Sequence, residues 1–188
     1  MKIIAGVDEA GRGAWAGNVV AAAVILPSNY DLPGLTDSKK LSSKKRDYLY
    51  DGIYEQALSV SYGEQTPEEI DELNIHQATL TAMTLAINGL TFLADEVWID
   101  GAFVPKGLGV SAKAIIGGDG LEPAIAAASI IAKVTRDRQL VDLDKKYPAY
   151  GFARHKGYGT VLHRNALLTH GVLPIHRKSY APVAQCLK

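Results

Sequence analysis

The sequence predicts an α/β domain built on one mixed sheet with helices covering it. Two strand-like runs come first, joined by a glycine-containing bend, and the later strand-sized runs are separated by helical patterns. No internal repeat or low-complexity segment interrupts this order. At 188 residues the chain suffices for one well-buried domain and is short for two. A single domain is therefore expected over residues 1–188, with a core of about residues 1–145 and a C-terminal helix and tail over about 146–188.

Lys2 to Val7 and Gly17 to Leu26 are rich in Ile, Val and Ala, which fits two strands closed by a hairpin. The loop chemistry of residues 36–42 follows, and the Ser42 hydroxyl can cap a helix that begins near Ser43 and includes Leu49, Ile53 and Tyr54. Thr66-Pro67-Glu68-Glu69 is a helix start: a hydroxyl cap, proline at the first position, and acids against the positive helix end. Asn74 then caps a longer helix with an apolar face of Ile75, Ala78, Leu80, Met83, Ala86 and Leu90, ending at or just past Asn88-Gly89. Glu96 to Asp100 and Val110 to Ile116 read as short buried strands. Pro123 to Leu143 is helical, with enough alanine to approach a sheet closely. Val161 to Thr169 forms a shorter helix ended by Gly171, and Leu173 to Lys188, with Pro174 and Pro182, is expected to wrap the surface.

The composition, 47% hydrophobic and 21% charged, is that of a soluble globular protein. The N-terminal apolar run ends at Asp8 and the longest apolar stretch, Val19 to Pro27, is strand-sized, so neither a secretory leader nor a membrane span is expected. A single cysteine, Cys186, excludes an internal disulfide and a cysteine-rich metal site. Cytoplasmic residence and a monomer are the expectations. The formal net charge of zero conceals an asymmetry. Between Asp47 and Pro105 there is no Lys or Arg, whereas Lys39, Lys40, Lys44, Lys45 and Arg46 cluster early. Lys133, Arg136, Arg138, Lys145, Lys146, Arg154, Lys156, Arg164, Arg177 and Lys178 dominate the last third. Brought onto one face, the two groups would form a positive stripe able to follow phosphates.

Three strand ends offer carboxylates. Asp8 and Glu9 close the first strand, Asp100 closes Val97-Trp98-Ile99, and Asp119 follows Ala114-Ile115-Ile116 across two glycines. Adjacent strands lie about 4.8 Å apart, close enough to bring such groups into one coordination sphere. Two carboxylates about 5 Å apart at an effective dielectric near 20 repel by roughly 3 kcal/mol, a sign that a divalent ion reverses. Hard oxygen ligands with no convergent His or Cys select Mg²⁺ or Mn²⁺, and a pair of such ions serves many nucleases. Consecutive residues on a regular strand face opposite ways, so Asp8 and Glu9 converge only if the strand bends, and Gly11 and Gly13 could allow it. The Gly11-Arg12-Gly13 segment can also present its backbone to a substrate. In His155-Lys156-Gly157-Tyr158-Gly159-Thr160 the Tyr158 ring can stack on a sugar or base while Lys156 meets a phosphate. His155 and His176, flanked by basic residues, could touch phosphates; His76, His163 and His170 are expected in surface or capping roles.

These pieces together resemble the ribonuclease HII family, the type 2 ribonucleases H. The likeness runs through Gly6-Val7-Asp8-Glu9-Ala10-Gly11-Arg12-Gly13, Asp37-Ser38-Lys39-Lys40-Leu41, Leu73-Asn74-Ile75, Ile99-Asp100-Gly101 and Gly118-Asp119. It continues through residues 127–134, Arg136-Asp137-Arg138, His155-Lys156-Gly157-Tyr158 and residues 176–183, which is nearly the whole chain. The resemblance implies a ribonuclease H-like fold: a five-stranded mixed sheet flanked by helices, with a helical C-terminal part that helps bind substrate. It implies a Mg²⁺ or Mn²⁺ site, two ions with substrate, at Asp8, Glu9, Asp100 and Asp119, with Asp137 nearby as a lesser candidate. It also implies that Gly11, Arg12 and Gly13 read the 2′-hydroxyl of the cleaved ribonucleotide, that Tyr158 stacks near the RNA-to-DNA junction, and that Ser38, Lys39 and Lys156 touch substrate. The implied partner is an RNA–DNA hybrid or a DNA duplex holding ribonucleotides, cut on the 5′ side of a ribonucleotide to leave 3′-hydroxyl and 5′-phosphate ends.

Two departures stand out: Gly118 where members commonly carry lysine, and Ala14-Trp15-Ala16-Gly17-Asn18 where Pro-Leu-Ala-Gly-Pro is common. They bear on rate and substrate preference, and neither alters a metal-ligand position. The alternatives are a ribonuclease HIII, which usually bears an extra N-terminal domain with no room before a strand starting at Lys2, a non-catalytic duplex-binding module, and a two-metal nuclease acting on DNA.

Overall fold

The structure, a computed structural model, describes residues 2–187. Its strands are β1 (Ile4–Ala10), β2 (Val19–Ile25), β3 (Ser59–Gln65), β4 (Glu96–Asp100) and β5 (Ser111–Ile115). They form one five-stranded sheet in the order β3-β2-β1-β4-β5. The β1–β2 and β2–β3 pairs are antiparallel, while β1–β4 and β4–β5 are parallel. The mixed sheet and the opening hairpin match expectation.

The helices are α1 (Ser43–Gln56), α2 (Pro67–Leu73), α3 (Ile75–Asn88), α4 (Pro123–Lys146), α5 (Phe152–His155), α6 (Val161–His170) and α7 (Ala181–Ala184). Their starts follow the cap chemistry of the sequence. The Ser42 hydroxyl accepts from Lys45 N, the Thr66 side chain and Glu69 form a reciprocal capping box, and Asn74 accepts from Gln77 N. Helix α4 runs one turn beyond the expected Leu143, because Lys145 and Lys146 suit the negative helix end. Among the described residues no helix is long and apolar enough to cross a membrane.

Side chains alternate across the sheet and divide the core in two. Ala5, Val7, Ala21, Ala23, Ile25, Val97 and Ile99 pack with Ala82, Met83, Ala86 and Ile87 of α3. On the opposite face Ala22 and Val24 pack with Leu49 and Ile53 of α1 and with Ala127, Ala128, Ile130 and Ile131 of α4. The start of α4 lies so close to β1 that a Cβ on Gly6 would collide with the Ala124–Ile125 backbone. That contact pins the helix, and the turn preceding it, to the central strand.

Strand β3 has no counterpart in the sequence reading. Its segment, Ser59-Val60-Ser61-Tyr62-Gly63-Glu64-Gln65, buries small and polar residues against α3, where a Cβ on Gly63 would strike Ala82 O and Leu85. Close approach of backbone to helix has replaced the hydrophobic alternation that marks a strand in sequence.

The histidine expectations need correction as well. His155, His163 and His176 are buried, not phosphate-facing or superficial, and form a cluster with Phe152 and Tyr150 beneath the C-terminal segment. Burial holds His163 and His176 at about 4, with the charge of His155 adding to the effect on the first and that of His163 to the effect on the second. The unfolded chain titrates near the ordinary value of about 6.5 and so binds more protons between the two values. Their contribution to stability is therefore complete above about pH 6.5 and lost as pH falls toward 4. Urea denaturation against pH should show this loss in the wild type and a smaller one in His163→Phe, a comparison in which the carboxylates of the sheet end cancel.

Candidate active site

Strand register decides which carboxylates meet. Val7 lies opposite Ile99 in the β1–β4 pair, and both point toward α3, so Asp8 and Asp100, one residue further along, point toward α4. Asp119 sits in a 3-10 turn, Gly118–Gly120, delivered to the same place by the start of α4. One carboxylate oxygen from each of Asp8, Asp100 and Asp119 lies within 4.8 Å of the other two. The turn is tied down: Asp119 N donates to Asp100 Oδ1 at 3.4 Å. Asp8 is only 4% exposed. Burial pushes its carboxyl well above the usual carboxylate range, helped by the charges of Glu9, Asp100 and Asp119. Asp100 is raised too, by burial and then by Asp119. Lys39, on the 3-10 turn Ser38–Lys40, reaches Asp119 Oδ2 at 3.4 Å and supplies a partial counter-charge from a solvent-exposed position.

Glu9 does not join this group. The expected bend between Asp8 and Glu9 is absent, since β1 stays paired with β2 through Ala10 opposite Val20. Glu9 therefore points to the α3 face, where its Oε1 lies 3.5 Å from Arg12 and it lines a small pocket with His76, Thr79, Phe103 and Asp100. Burial raises its carboxyl, against the pull of Arg12 and with a push from Asp100. Asp100, at the end of its strand, thus borders both the triad and the Glu9 pocket.

The loop of residues 11–18 between β1 and β2 is held by two buried arginines. Arg136 of α4 donates to the carbonyls of Asn18 (2.9 Å), Lys156 (2.9 Å) and Ala16 (3.0 Å). Arg177 of the tail donates to Gly17 O and Arg12 O, and Tyr180 donates to Arg12 O as well. Backbone bonds from Trp15 N to Gly157 O (2.8 Å) and from Arg177 N to Trp15 O (2.8 Å) complete the frame. Gly11, at φ +93°, lies flat against Arg136, and a Cβ there would collide with the guanidinium. Gly13 differs: its φ is not left-handed and a Cβ would meet nothing within 4 Å. The fold itself does not require glycine at that position.

Of the remaining candidates, Ser38 is buried and accepts a 2.7 Å hydrogen bond from Ser129, whereas Tyr158 is 37% exposed, its ring over Arg136 and Lys133. Lys156 donates to Ala153 O at the mouth of a groove that also includes Arg46, Arg138 and Lys145. Asp137 lies in the same groove, paired with Lys133 at 2.8 Å, and is not one of the three convergent acids. The early basic cluster and α4 do share this groove, but Arg136 and Arg177 are spent on backbone carbonyls and drop out of the stripe.

Residues 5–183 match the family model described as Ribonuclease HII. The chain belongs to the ribonuclease HII family. A relative named Ribonuclease HII from Dichelobacter nodosus (strain VCS1703A) is 64% identical over 186 residues, covering 99% of this chain and 98% of that one. Among solved structures, the ribonuclease H2 from Pyrococcus horikoshii OT3 is similar at a TM-score of 0.84 and 28% identity, over 99% of this chain and 97% of that one. Bst-RNase HIII, solved in complex with Mn²⁺, shares the fold at a TM-score of 0.70 and 16% identity, over 98% of this chain and 69% of its own. Membership in the ribonuclease HII family, together with these matches, makes the chain an endoribonuclease with ribonuclease H activity on RNA–DNA hybrids. It also favours ribonuclease HII over the ribonuclease HIII and binding-module alternatives.

Sequence reasoning placed Arg136 and Arg177 on the surface because charge is usually solvated. The available signal was glycine: a loop dense in Gly and short of side chains leaves carbonyls that something must satisfy.

Two outcomes follow from this geometry. Without divalent metal, Asp8→Asn should be more stable than wild type at neutral pH by about 1 kcal/mol or more, through lost repulsion and cheaper burial. Adding Mg²⁺ should raise the thermal midpoint of wild type more than that of the variant, as read by scanning calorimetry. For the loop, Gly11→Ala should destabilise by about 2 kcal/mol or more, while Gly13→Ala should leave stability unchanged or raise it by up to about 0.5 kcal/mol, as read by urea titration.

Proposed function

We propose that this enzyme uses Mg²⁺ or Mn²⁺ held by Asp8, Asp100 and Asp119, with Glu9 beside them, to cleave the RNA strand of hybrids and to incise duplex DNA 5′ of single ribonucleotides. The products are 3′-hydroxyl and 5′-phosphate ends. The enzyme works as a cytoplasmic monomer, and its role is the removal of misinserted ribonucleotides. The observation that carries this reading is the convergence of three carboxylates from separate elements within 4.8 Å, at one end of the sheet.

The donor set suits a hard cation: oxygen ligands only, one of them deeply buried and reluctant to stay charged unless a cation arrives. When bound, paired divalent ions would activate water and neutralise charge at the leaving oxygen. Asp8, Asp100 and Asp119 converge on the α4 side, and Asp100 also borders the pocket that holds Glu9, so a second ligand group lies next to the first. Lys39 limits the negative charge that an incoming phosphate meets.

Recognition falls to the loop of residues 11–18. Its backbone is fixed before substrate arrives, because Arg136 and Arg177 already satisfy its carbonyls. Gly13 leaves free space where the fold would accept a methyl group, which fits close approach of a sugar edge. A site built to hydrogen-bond a 2′-hydroxyl rejects deoxyribose by about 10⁴-fold or more. Tyr158 offers a ring face at the rim for stacking at the RNA-to-DNA junction, and Arg46, Arg138, Lys145 and Lys156 offer charge to the phosphates.

The decisive experiment incubates the protein with Mg²⁺ and a duplex holding one embedded ribonucleotide and maps the cut by gel. A single 5′ incision is expected, and cleavage of all-DNA duplexes would reject the reading. Asp8→Asn should lower turnover by about 10³-fold or more with the fold retained, and wild-type turnover in this variant would remove Asp8 from the site. Tyr158→Ala should reduce single-ribonucleotide incision more than cleavage of a long hybrid; equal losses would remove Tyr158 from junction reading.

A further inference from the structure

Tyr158 is unusual in that its ring is exposed while its peptide group is tightly held. Its N–H donates to His155 O at 2.9 Å, and its carbonyl accepts from Thr160 N at 3.0 Å and lies 3.0 Å from His163 Nδ1. Behind that carbonyl runs a chain of buried imidazoles whose proton positions are set by the backbone. Leu173 N donates to His176 Nδ1 at 2.9 Å, so that nitrogen has no proton and the neutral ring carries it on Nε2. His176 Nε2 lies 3.0 Å from His163 Nε2. Two N–H groups cannot face each other there, so His163 Nε2 accepts and its own proton sits on Nδ1, donated to Tyr158 O. The adjoining His155 is fixed in the same manner: it accepts from Gly157 N at 3.2 Å on Nδ1 and donates from Nε2 to Tyr150 O at 2.8 Å.

The cluster is not a metal site. His155 and His163 stack face to face, with centroids 4.4 Å apart and planes 10° apart, so their lone pairs lie in parallel planes. Every ring nitrogen of the three already has a partner. What the arrangement does is transmit position: an amide in the tail orders His176, which orders His163, which holds Tyr158.

We propose that His163 and His176 are positioning residues for Tyr158, and that this tail-anchored pair of imidazoles with fixed tautomers sets the place of the Tyr158 ring at the substrate surface. The proposal rests on the reading of Tyr158 as a stacking residue at the RNA-to-DNA junction. Stacking contacts must be held to within about 0.5 Å and 10–20° to discriminate, and a rim tyrosine attached to a glycine-flanked turn does not reach that precision unaided. Junction preference is therefore governed partly by residues that never touch nucleic acid.

The test compares kcat/KM on a single-ribonucleotide duplex with that on a long hybrid, for wild type, Tyr158→Ala, His163→Phe and His163→Asn. Phenylalanine keeps the ring that packs on His155, Phe152 and Trp15 but loses both hydrogen bonds. Asparagine loses the ring but keeps a donor near the Nδ1 position. A positioning role predicts that His163→Phe lowers the ratio by about fivefold or more, the loss of one stacking contact, while His163→Asn retains more than half of the wild-type ratio. A mere packing role predicts the opposite order, and that order overturns the proposal. Nitrogen NMR on the wild-type protein adds a reading that needs no variant to fold. His163 protonated on Nδ1 and His176 on Nε2 is expected, and any other pattern overturns the proposal. Failure of the underlying reading looks different: an unchanged ratio in Tyr158→Ala rejects junction stacking, and a changed His163→Phe ratio alongside it overturns the route through Tyr158.

Discussion

Like charge held at close quarters is the constraint on which the rest of this structure depends. Asp8, Asp100 and Asp119 bring carboxylate oxygens within 4.8 Å of one another at a largely buried sheet end. Left alone, such groups separate or take up protons, and the Asp8 carboxyl is raised first by its burial and then by the neighbouring carboxylates. What keeps them together is rigid scaffolding: parallel pairing of β1 with β4, and a helix so close to β1 that only glycine fits at position 6. The repulsive energy is thereby stored in the fold, and it is relieved by any cation that the three carboxylates take up.

A second economy operates at the loop between β1 and β2. Residues 11–18 carry carbonyls that a short connection between two strands cannot satisfy by itself, and Arg136 and Arg177 satisfy them from opposite sides. Among the described residues neither buried guanidinium has a carboxylate partner, and burial lowers both, Arg136 to about 10, still far above neutral pH. Charged donors to backbone carbonyls are stronger than neutral ones, so a loop rich in glycine becomes rigid without forming secondary structure. The same frame reaches Tyr158 through Gly157 and the buried histidines, so hydrogen bonds link the loop after β1 to the C-terminal segment.

Legibility in the sequence varied with the kind of signal. The hairpin, the capped helices α1 to α3 and the positions of strands β4 and β5 were readable because apolar periodicity and cap chemistry are local, although β5, an edge strand, is not buried as its sequence suggested. Strand β3 was not, because its inner face is Ser59, Gly63 and Gln65, whose fitness for the position depends on how near α3 comes. Asp8, Asp100 and Asp119 were visible as acids ending strands, whereas the separation of Glu9 onto the other face depended on β1 staying regular. The burial of His163, His176, Arg136 and Arg177 had no local signature, since charged and titratable residues near one another read as surface.

The amino-acid sequence alone determined the α/β class, the family likeness and the set of acids available at strand ends, because these follow from residue type, spacing and order along the chain. Only the tertiary structure decided which acids share a point in space, which cations are consumed inside the protein and which glycine faces open space. Each of those depends on register and on distances between segments far apart in sequence: one residue of shift in β1 would exchange the faces of Asp8 and Glu9, and no local pattern encodes that choice.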